Sequence, residues 1–200
     1  MKGVPLSFVA GTGGNVVRIL ARTFALAFLG MILFCQKGAF ASSPPPPGNL
    51  GADLSHPPVM PSLELLDLSG RTVRTSALSG HPLLILNFMA PWCDPCLKEI
   101  PSLVRLSRTE GKTFAIRGIL EGPTGEKSLN EFLRKTNIPF PLLRDPALRF
   151  SRALGVHGLP TTFIVDSRGH VVSRVSGAVD WDDPRVRRYL KSFISSKAGF

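Results

Sequence analysis

Two cysteines, Cys93 and Cys96, flank Asp94 and Pro95 and are the residues of this sequence best suited to chemistry. Thiols at this spacing can exchange disulfides, form part of a metal site, or make a structural disulfide. A zinc site usually needs four ligands, but the third cysteine, Cys35, lies in a separate apolar stretch and the four histidines are scattered. A disulfide that closes so short a loop adds little stability, because stabilisation grows with loop length. The pattern therefore favours a redox-active dithiol that uses no metal or other cofactor.

The stretches on either side of the dithiol predict how the two thiols differ in reactivity. Residues 83–89 form an apolar run with the length of a central strand that is covered on both faces. From Cys93 to about Thr109 the apolar residues have helical spacing. Cys93 is therefore expected at the helix N-cap, where free N–H groups and the helix dipole favour the thiolate and make Cys93 the nucleophile. Cys96, one turn later on the same face, is then expected to be the resolving thiol.

Asp94 and Pro95, between the two thiols, are expected to tune the redox potential. Pro95 falls in the first helical turn, where its missing N–H has no cost. A carboxylate beside the thiols disfavours the thiolate, and stabilising the reduced thiolate is what makes a strong oxidant. Asp94 therefore favours a reductant, although an acid would also suit the start of any helix because it complements the helix dipole.

The first part of the chain has the features of an export signal. Residues 1–41 contain a basic region, then the uncharged stretch 23–35, and end in Ala-Phe-Ala at Ala41. This arrangement predicts a secretory signal peptide cleaved after Ala41, and hence a protein on the periplasmic or other extracytoplasmic side of the membrane. The alternative is an uncleaved membrane anchor through residues 19–35, although a spanning helix needs about 20 apolar residues and Arg22 interrupts this stretch.

Residues 42–61 are rich in proline and are expected to form a flexible, extended linker. The net charge of +10 includes four basic residues of the predicted signal, which leaves 20 basic and 14 acidic residues after position 41. No basic run alternates with aromatic residues, so this charge does not indicate a nucleic-acid partner.

Residues 62–200 predict one α/β domain with a central mixed β-sheet flanked by helices. A hairpin that turns at Gly70 precedes the central strand, and a second hairpin turns at Gly169. Asp183 and Pro184 have the pattern of an N-cap followed by a proline in the first turn. The predicted strands are 62–68, 71–75, 83–89, 113–120, 141–143, 161–165 and 170–175. The predicted helices are 93–109, 126–136, 147–154 and 184–195.

The sequence from about residue 60 to residue 196 resembles the TlpA/ResA-like branch of the thioredoxin superfamily. The residues that carry this resemblance are Trp92-Cys93-Asp94-Pro95-Cys96, Lys98-Glu99-Ile100-Pro101 and the stretch 155–166, which contains Pro160. The resemblance implies a thioredoxin fold with an N-terminal β-hairpin extension. It also implies thiol–disulfide exchange on the outer side of a membrane, usually as a reductase of exported proteins such as apocytochrome c. A membrane electron donor would then restore the dithiol.

Further site residues follow from the resemblance. Family members hold the proline that matches Pro160 in the cis form facing the dithiol, which would leave the backbone of Leu159 free to pair with an extended client. Trp92 is expected as a partly exposed platform beside the thiols. Glu121, at the end of a strand, is a candidate acid/base for the proton of Cys96, and a solvated loop acid is the alternative.

Two other residues are expected to be structural: Glu99 as an ordinary acid on the helix surface, and Trp181 as a core or helix-lead-in residue. Two alternative functions use the same region. One is a disulfide oxidase or isomerase with the same two thiols, which a redox potential would distinguish from a reductase. The other is a copper carrier, which the two-residue spacing between the cysteines disfavours. A peroxidase would need a lone reactive cysteine in a loop rich in proline and threonine, and that pattern is absent from the sequence.

Overall fold

The computed structural model describes residues 58–195 of the chain. The signal or anchor predicted over residues 1–41, and most of the linker predicted over 42–61, lie outside the described residues. Within residues 58–195, none of the helices has the length and apolar character that a membrane span requires.

The described residues form a mixed, seven-stranded sheet with helices against it, as the sequence predicts. The strands are β1 (Glu64–Asp67), β2 (Thr72–Arg74), β3 (Leu83–Met89), β4 (Phe114–Glu121), β5 (Leu142–Asp145), β6 (Thr161–Asp166) and β7 (Val171–Ser176). The helices are α1 (Asp94–Glu110), α2 (Glu126–Thr136), α3 (Arg149–Ala153) and α4 (Pro184–Ser195), and a 3₁₀ turn covers Thr75–Leu78. The strand order is β2-β1-β5-β4-β3-β6-β7.

Strand β3 is an inner strand of the sheet and leads directly to the dithiol. It pairs in parallel with β4 and antiparallel with β6, and all of its residues are buried, as expected for a strand covered on both faces. The N-terminal hairpin β1–β2 joins the sheet through an antiparallel pairing of β1 with β5. The predicted hairpin extension is therefore confirmed as an edge of the main sheet.

The two faces of the sheet carry separate apolar clusters. One cluster contains the two cysteines and residues of α1, α2 and α4, and Trp181 is fully buried in it, as predicted for a core residue. The other cluster contains Phe88, Phe150 and Phe163 together with residues of the N-terminal hairpin. The ring of Phe88 lies 5.6 Å from the rings of both Phe150 and Phe163.

The region from β5 to α3 differs from the predicted boundaries, because Asp145 ends the strand and its side chain also binds the first turn of the helix. Its carboxylate accepts hydrogen bonds from the backbone N–H groups of Arg149 and Ser151 at 3.0 and 2.9 Å. The strand therefore extends to Asp145, two residues further than predicted, and the helix begins at Arg149 rather than at residue 147. The N-cap residue itself is Leu148, whose side chain makes no capping hydrogen bond, so Asp145 supplies acceptors for the N–H groups of the first helical turn.

Candidate functional site

The dithiol lies where the sequence predicts, at the start of α1. Cys93 is the N-cap residue, and the backbone N–H of Cys96 donates to its Sγ at 3.2 Å. The two sulfurs form a disulfide of 2.08 Å, so the structure represents the oxidised protein. Cys93 keeps 4% of its surface exposed, whereas Cys96 is completely buried. Of the two cysteines, only Cys93 has any surface that a client can reach.

Trp92 and Pro160, the residues expected beside the dithiol, lie at the same end of the central strands. Trp92, directly before Cys93, is the most exposed large apolar side chain among the described residues, at 73%. Thr161 of β6 pairs with Phe88 of β3, so the preceding Pro160 lies at the end of β3 that leads to the dithiol. The peptide bond between Leu159 and Pro160 is cis, which confirms the geometry implied by the family resemblance.

Glu99 is not the exposed helix-surface acid that the sequence suggested, since only 3% of it is accessible. It lies on α1 one turn after Cys96, on the face that packs against the sheet. Its Oε1 accepts from Nδ2 of Asn87 at 2.6 Å. Its Oε2 accepts from the backbone N–H of Val179 and from Nε1 of Trp181, both at 3.1 Å. Glu99 is therefore a buried carboxylate held by three donors.

The surroundings of Glu99 act on its pKa in opposite directions. Burial raises the pKa of Glu99 above its ordinary value of 4.5, and the hydrogen bonds from Asn87, Val179 and Trp181 oppose that rise, with burial the larger effect. A buried carboxyl group whose pKa is raised takes up a proton more readily than an ordinary glutamate. Glu99 follows Cys96 by three residues on α1, a spacing at which two side chains occupy neighbouring positions on one face of a helix.

Asn87 connects Glu99 to the central strands. Its Nδ2 also donates to Oγ1 of Thr162 at 2.8 Å, and Thr162 is its partner in the pairing of β3 with β6. The Oδ1 atom of Asn87 is buried and has no hydrogen-bond partner within residues 58–195. An unpaired buried oxygen costs free energy, so the retention of this atom calls for a structural or catalytic reason.

Glu121, the candidate acid/base that the family resemblance implies, is half-buried at the end of β4. Burial raises the pKa of Glu121, the negative charge of Asp145 raises it further, and a hydrogen bond with Ser151 lowers it. Its Oε1 has no partner within the described part of the chain. Side chains alternate between the faces of a strand, and Leu120 packs in the cluster that contains the cysteines. The contact with Ser151 agrees with that alternation and directs Glu121 towards α3, on the other face.

Within residues 58–195 no three His, Cys, Asp or Glu side chains lie close enough together to hold a metal ion. Cys93 and Cys96 are joined to each other, and His157 is an exposed loop residue. The arrangement is that of two sulfurs that exchange with each other and with an external disulfide.

Glu99 and Asn87 are the site residues that sequence reasoning missed. The interpretation of Glu99 as a helix-surface acid is wrong, because its spacing from Cys96 and Leu103 places it on the apolar face of the helix. That spacing is the sequence pattern that indicates burial of Glu99. Asn87 gave a weaker signal, as a polar residue within an otherwise apolar central strand.

Comparison with known proteins agrees with this geometry. Residues 58–174, more than half of the chain, match the model of the AhpC/TSA family. The chain is 33% identical over 134 residues to the thiol–disulfide oxidoreductase ResA of Geobacillus thermodenitrificans, an alignment that covers 66% of this chain and 74% of that protein.

Solved structures show the same fold. A Chlorobium tepidum protein assigned as thiol:disulfide interchange protein DsbE superposes with a TM-score of 0.62 at 24% identity, over 70% of this chain and 99% of that chain. A second Chlorobium tepidum structure, of a thioredoxin-family thiol:disulfide interchange protein, gives a TM-score of 0.56 at 27% identity, over 70% and 99% of the two chains. The predicted thioredoxin fold is therefore confirmed.

Proposed function

Because the chain belongs to the AhpC/TSA family of the thioredoxin superfamily and is a thiol–disulfide oxidoreductase of the ResA/DsbE type, we propose that it reduces disulfides in exported proteins. The main support is the position of Cys93 at the N-cap of α1, barely accessible to solvent, with the buried Cys96 one turn behind it. An apocytochrome c whose cysteine pair has become oxidised is the client class that we propose.

In the proposed reaction, the Cys93 thiolate attacks one sulfur of the client disulfide, and the other client sulfur leaves as a thiolate that takes a proton from water. Cys96 then loses its proton and attacks the Cys93 sulfur, which breaks the mixed disulfide and releases the second client thiol. The client gains two electrons, and the protein ends as the Cys93–Cys96 disulfide present in this structure. A membrane electron donor is proposed to reduce this disulfide again.

The proton of Cys96 needs an acceptor before the second step. We assign this role to Glu99, because it is buried, lies one helical turn after Cys96 and has a raised pKa. Glu121 is a second candidate, since its pKa is also raised and its Oε1 is unpaired within the described residues. Its interactions with Ser151 and Asp145 give it weaker support than the helical spacing gives Glu99.

The client is proposed to bind at the exposed rim of the site. The ring of Trp92 offers an accessible apolar surface, and the backbone of Leu159 before the buried Pro160 offers hydrogen-bonding groups to an extended peptide. Asp94 and Pro95 complete the rim and are proposed to tune the potential towards the reducing side. Residues 1–41 are proposed as the export signal, with membrane anchoring through residues 19–35 as the alternative.

Trapping of the mixed disulfide tests this proposal. In Cys96→Ser, the second step is blocked, so exported proteins that react with Cys93 should stay attached through a bond that a reducing agent cleaves. The Cys93→Ser variant is the matched control and should retain none of these proteins. Retention of the same proteins by both variants would contradict the assignment of Cys93 as the nucleophile.

The direction of exchange is tested by the redox potential of the Cys93–Cys96 pair. A reductase should have a potential near that of thioredoxin, about −270 mV, whereas an oxidase of the DsbA type lies near about −120 mV. A value at the oxidising end would replace the reductase by the oxidase or isomerase alternative while leaving the thiol assignments intact.

A further inference from the structure

The loop between β7 and α4, residues 177–183, contacts both Pro160 and Glu99. At its start, the N–H of Gly177 donates to the carbonyl of Pro160 at 2.9 Å. Further along, Val179 and Trp181 both donate to Oε2 of Glu99 at 3.1 Å. We call residues 177–183 the β7–α4 loop. It lies about 80 residues from Glu99 in sequence, and so no local motif around the cysteines reveals the connection.

Trp181 is held rigidly enough to act as a fixed donor. Its side chain is completely buried, and its backbone N–H donates to Oγ of Ser102 at 3.0 Å. Ser102 in turn donates to the backbone carbonyl of Glu99 at 2.7 Å. The backbone N–H and the indole N–H of Trp181 are thus both bound to the turn of α1 that carries Glu99. A buried indole N–H that donates to a carboxylate favours the charged form of that carboxylate.

We propose that Trp181 is a positioning residue for the thiol–disulfide exchange: through its indole N–H it holds the Glu99 carboxylate as the charged acceptor for the proton of Cys96. This inference rests on the proposed function of Glu99 and adds to it a residue outside the dithiol motif. Trp181 does not touch the reacting sulfurs in this role. It acts through Glu99 and determines the pH range in which the resolving step can run.

A cavity of about 340 Å³ provides the route by which Glu99 exchanges its proton with solvent. Glu99 and Ser102 line this cavity on the α1 side, and Ala178 and Val179 line it on the loop side. The charged groups that face it from these elements are Lys98, Arg105 and Asp180. Arg105 pairs with Asp180 and with Asp182 of the same loop, so much of the positive charge near Glu99 is compensated.

Atoms and charge balance in the resolving step. Cys96 gives its proton to Glu99, its sulfur bonds to that of Cys93, and the client thiolate leaves. Glu99 then returns the proton to water through the cavity. Glu99 must be ionised at the working pH, because a protonated carboxyl group cannot accept the proton of Cys96. The hydrogen-bond donors to Glu99 stabilise the ionised form. Removing one donor therefore raises the pH at which Glu99 becomes ionised.

The replacement Trp181→Phe removes the indole N–H and keeps a buried aromatic ring. The reduced protein is mixed rapidly with dithionitrobenzoate, where attack by Cys93 releases a first coloured thiol and resolution by Cys96 releases a second. In Trp181→Phe we expect the pH at which resolution becomes half-maximal to rise by about one pH unit, with the attack phase unchanged. An unchanged or lower midpoint overturns the proposal.

Two controls separate this role from a structural one. Tyr189→Phe removes a different polar atom from an aromatic residue, one whose hydroxyl lies 2.8 Å from Oγ of Ser173, and it should leave the midpoint in place. In Glu99→Gln the midpoint set by this carboxyl should be lost, so that resolution follows the ionisation of the Cys96 thiol alone, and adding Trp181→Phe should then produce no further shift. The proposal is also overturned if Tyr189→Phe shifts the pH midpoint by the same amount, or if Trp181→Phe still shifts it in the Glu99→Gln protein.

A measurement that keeps Trp181 in place covers the case in which Trp181→Phe fails to fold. The protein has two tryptophans, Trp92 and Trp181, so its indole N–H signals in a nitrogen–proton spectrum can be assigned with Trp92→Phe. The Trp181 signal should shift with pH at the same midpoint as the resolution step, and it should stop shifting in Glu99→Gln. A Trp181 signal that does not respond to Glu99 overturns the inference. Neither measurement uses a protein client, so failure to trap a client would affect the proposed function alone.

Discussion

The Nδ2 atom of Asn87 lies 2.6 Å from Oε1 of Glu99 and ties the central strand to the dithiol helix. The contact explains how a carboxylate can remain in the core behind Cys96, since burial of an ionised group without donors would cost several kcal/mol. The same contact fixes where the carboxylate points. Glu99 is thereby a defined part of the site and cannot swing into solvent as a surface acid would.

The replacement Glu99→Gln should slow the resolving step while leaving the first attack unchanged. Glutamine has nearly the same size but cannot accept a proton, so a loss of at least about tenfold is expected for acid/base catalysis by this residue. The measurement is the second phase of thiol release from dithionitrobenzoate. Glu110→Gln, at the other end of α1, is the control and should match the unaltered protein. Equal rates for the two variants would remove Glu99 from the reaction.

Glu121→Gln should behave differently, because this carboxyl interacts with Ser151 and Asp145 on the other face of the sheet. We expect the resolving rate to stay within about twofold of the original, well below the effect expected of a general base. A loss larger than that of Glu99→Gln would transfer the acid/base role to Glu121, as the sequence suggested.

The same variant should change the dependence of stability on pH. The pKa of Glu121 is raised on folding, so the folded protein keeps this proton where the unfolded chain has lost it, and stability falls as pH rises above the ordinary value of 4.5. Glutamine carries no such penalty. Glu121→Gln should therefore unfold at a higher temperature than the original at neutral pH, and the difference should vanish below pH 4.5. A difference that is constant with pH would contradict this.

Local patterns were sufficient to predict most of the fold and the reacting atoms. The apolar run of β3, the helical spacing after Cys93 and the turn glycines each depend on neighbouring residues, and the structure confirms them. The surroundings of Glu99 were not predictable in this way. They depend on donors from Asn87 and from the distant β7–α4 loop, and only the folded arrangement of β3, α1 and this loop brings them together.

Asp94→Asn tests the proposed reducing character of the dithiol. Asp94 is exposed in the first turn of α1, directly after Cys93. Removing its charge should make the thiolate easier to form and the protein more oxidising. An exposed charge at a helix start is worth about 0.3–1 kcal/mol, which corresponds to a rise in potential of roughly 6–21 mV. Glu126→Gln makes the same change at the start of α2 and should not alter the potential. An unchanged or more negative potential in Asp94→Asn would leave Asp94 as a helix-start acid only.

Trp92→Ala tests whether the exposed aromatic next to Cys93 binds clients. The side chain is 73% accessible, so its removal should leave the folded structure intact, in contrast to removal of a buried ring. Aromatic side chains are frequent hot spots in protein recognition, and truncating one commonly costs more than about 1 kcal/mol. We therefore expect kcat/KM for a disulfide-bearing protein client to fall by about tenfold, with the reaction towards oxidised glutathione unchanged.

The matched control is Leu68→Ala, which removes another exposed apolar side chain, 41% accessible, from the turn that follows β1. It should leave both reactions unchanged. If Trp92→Ala slows glutathione and protein clients equally, Trp92 influences the sulfur of Cys93 itself and does not bind clients. Selective loss with the protein client means that the rim contributes binding energy which the thiols alone do not supply, because a small disulfide reaches Cys93 without contacting that ring.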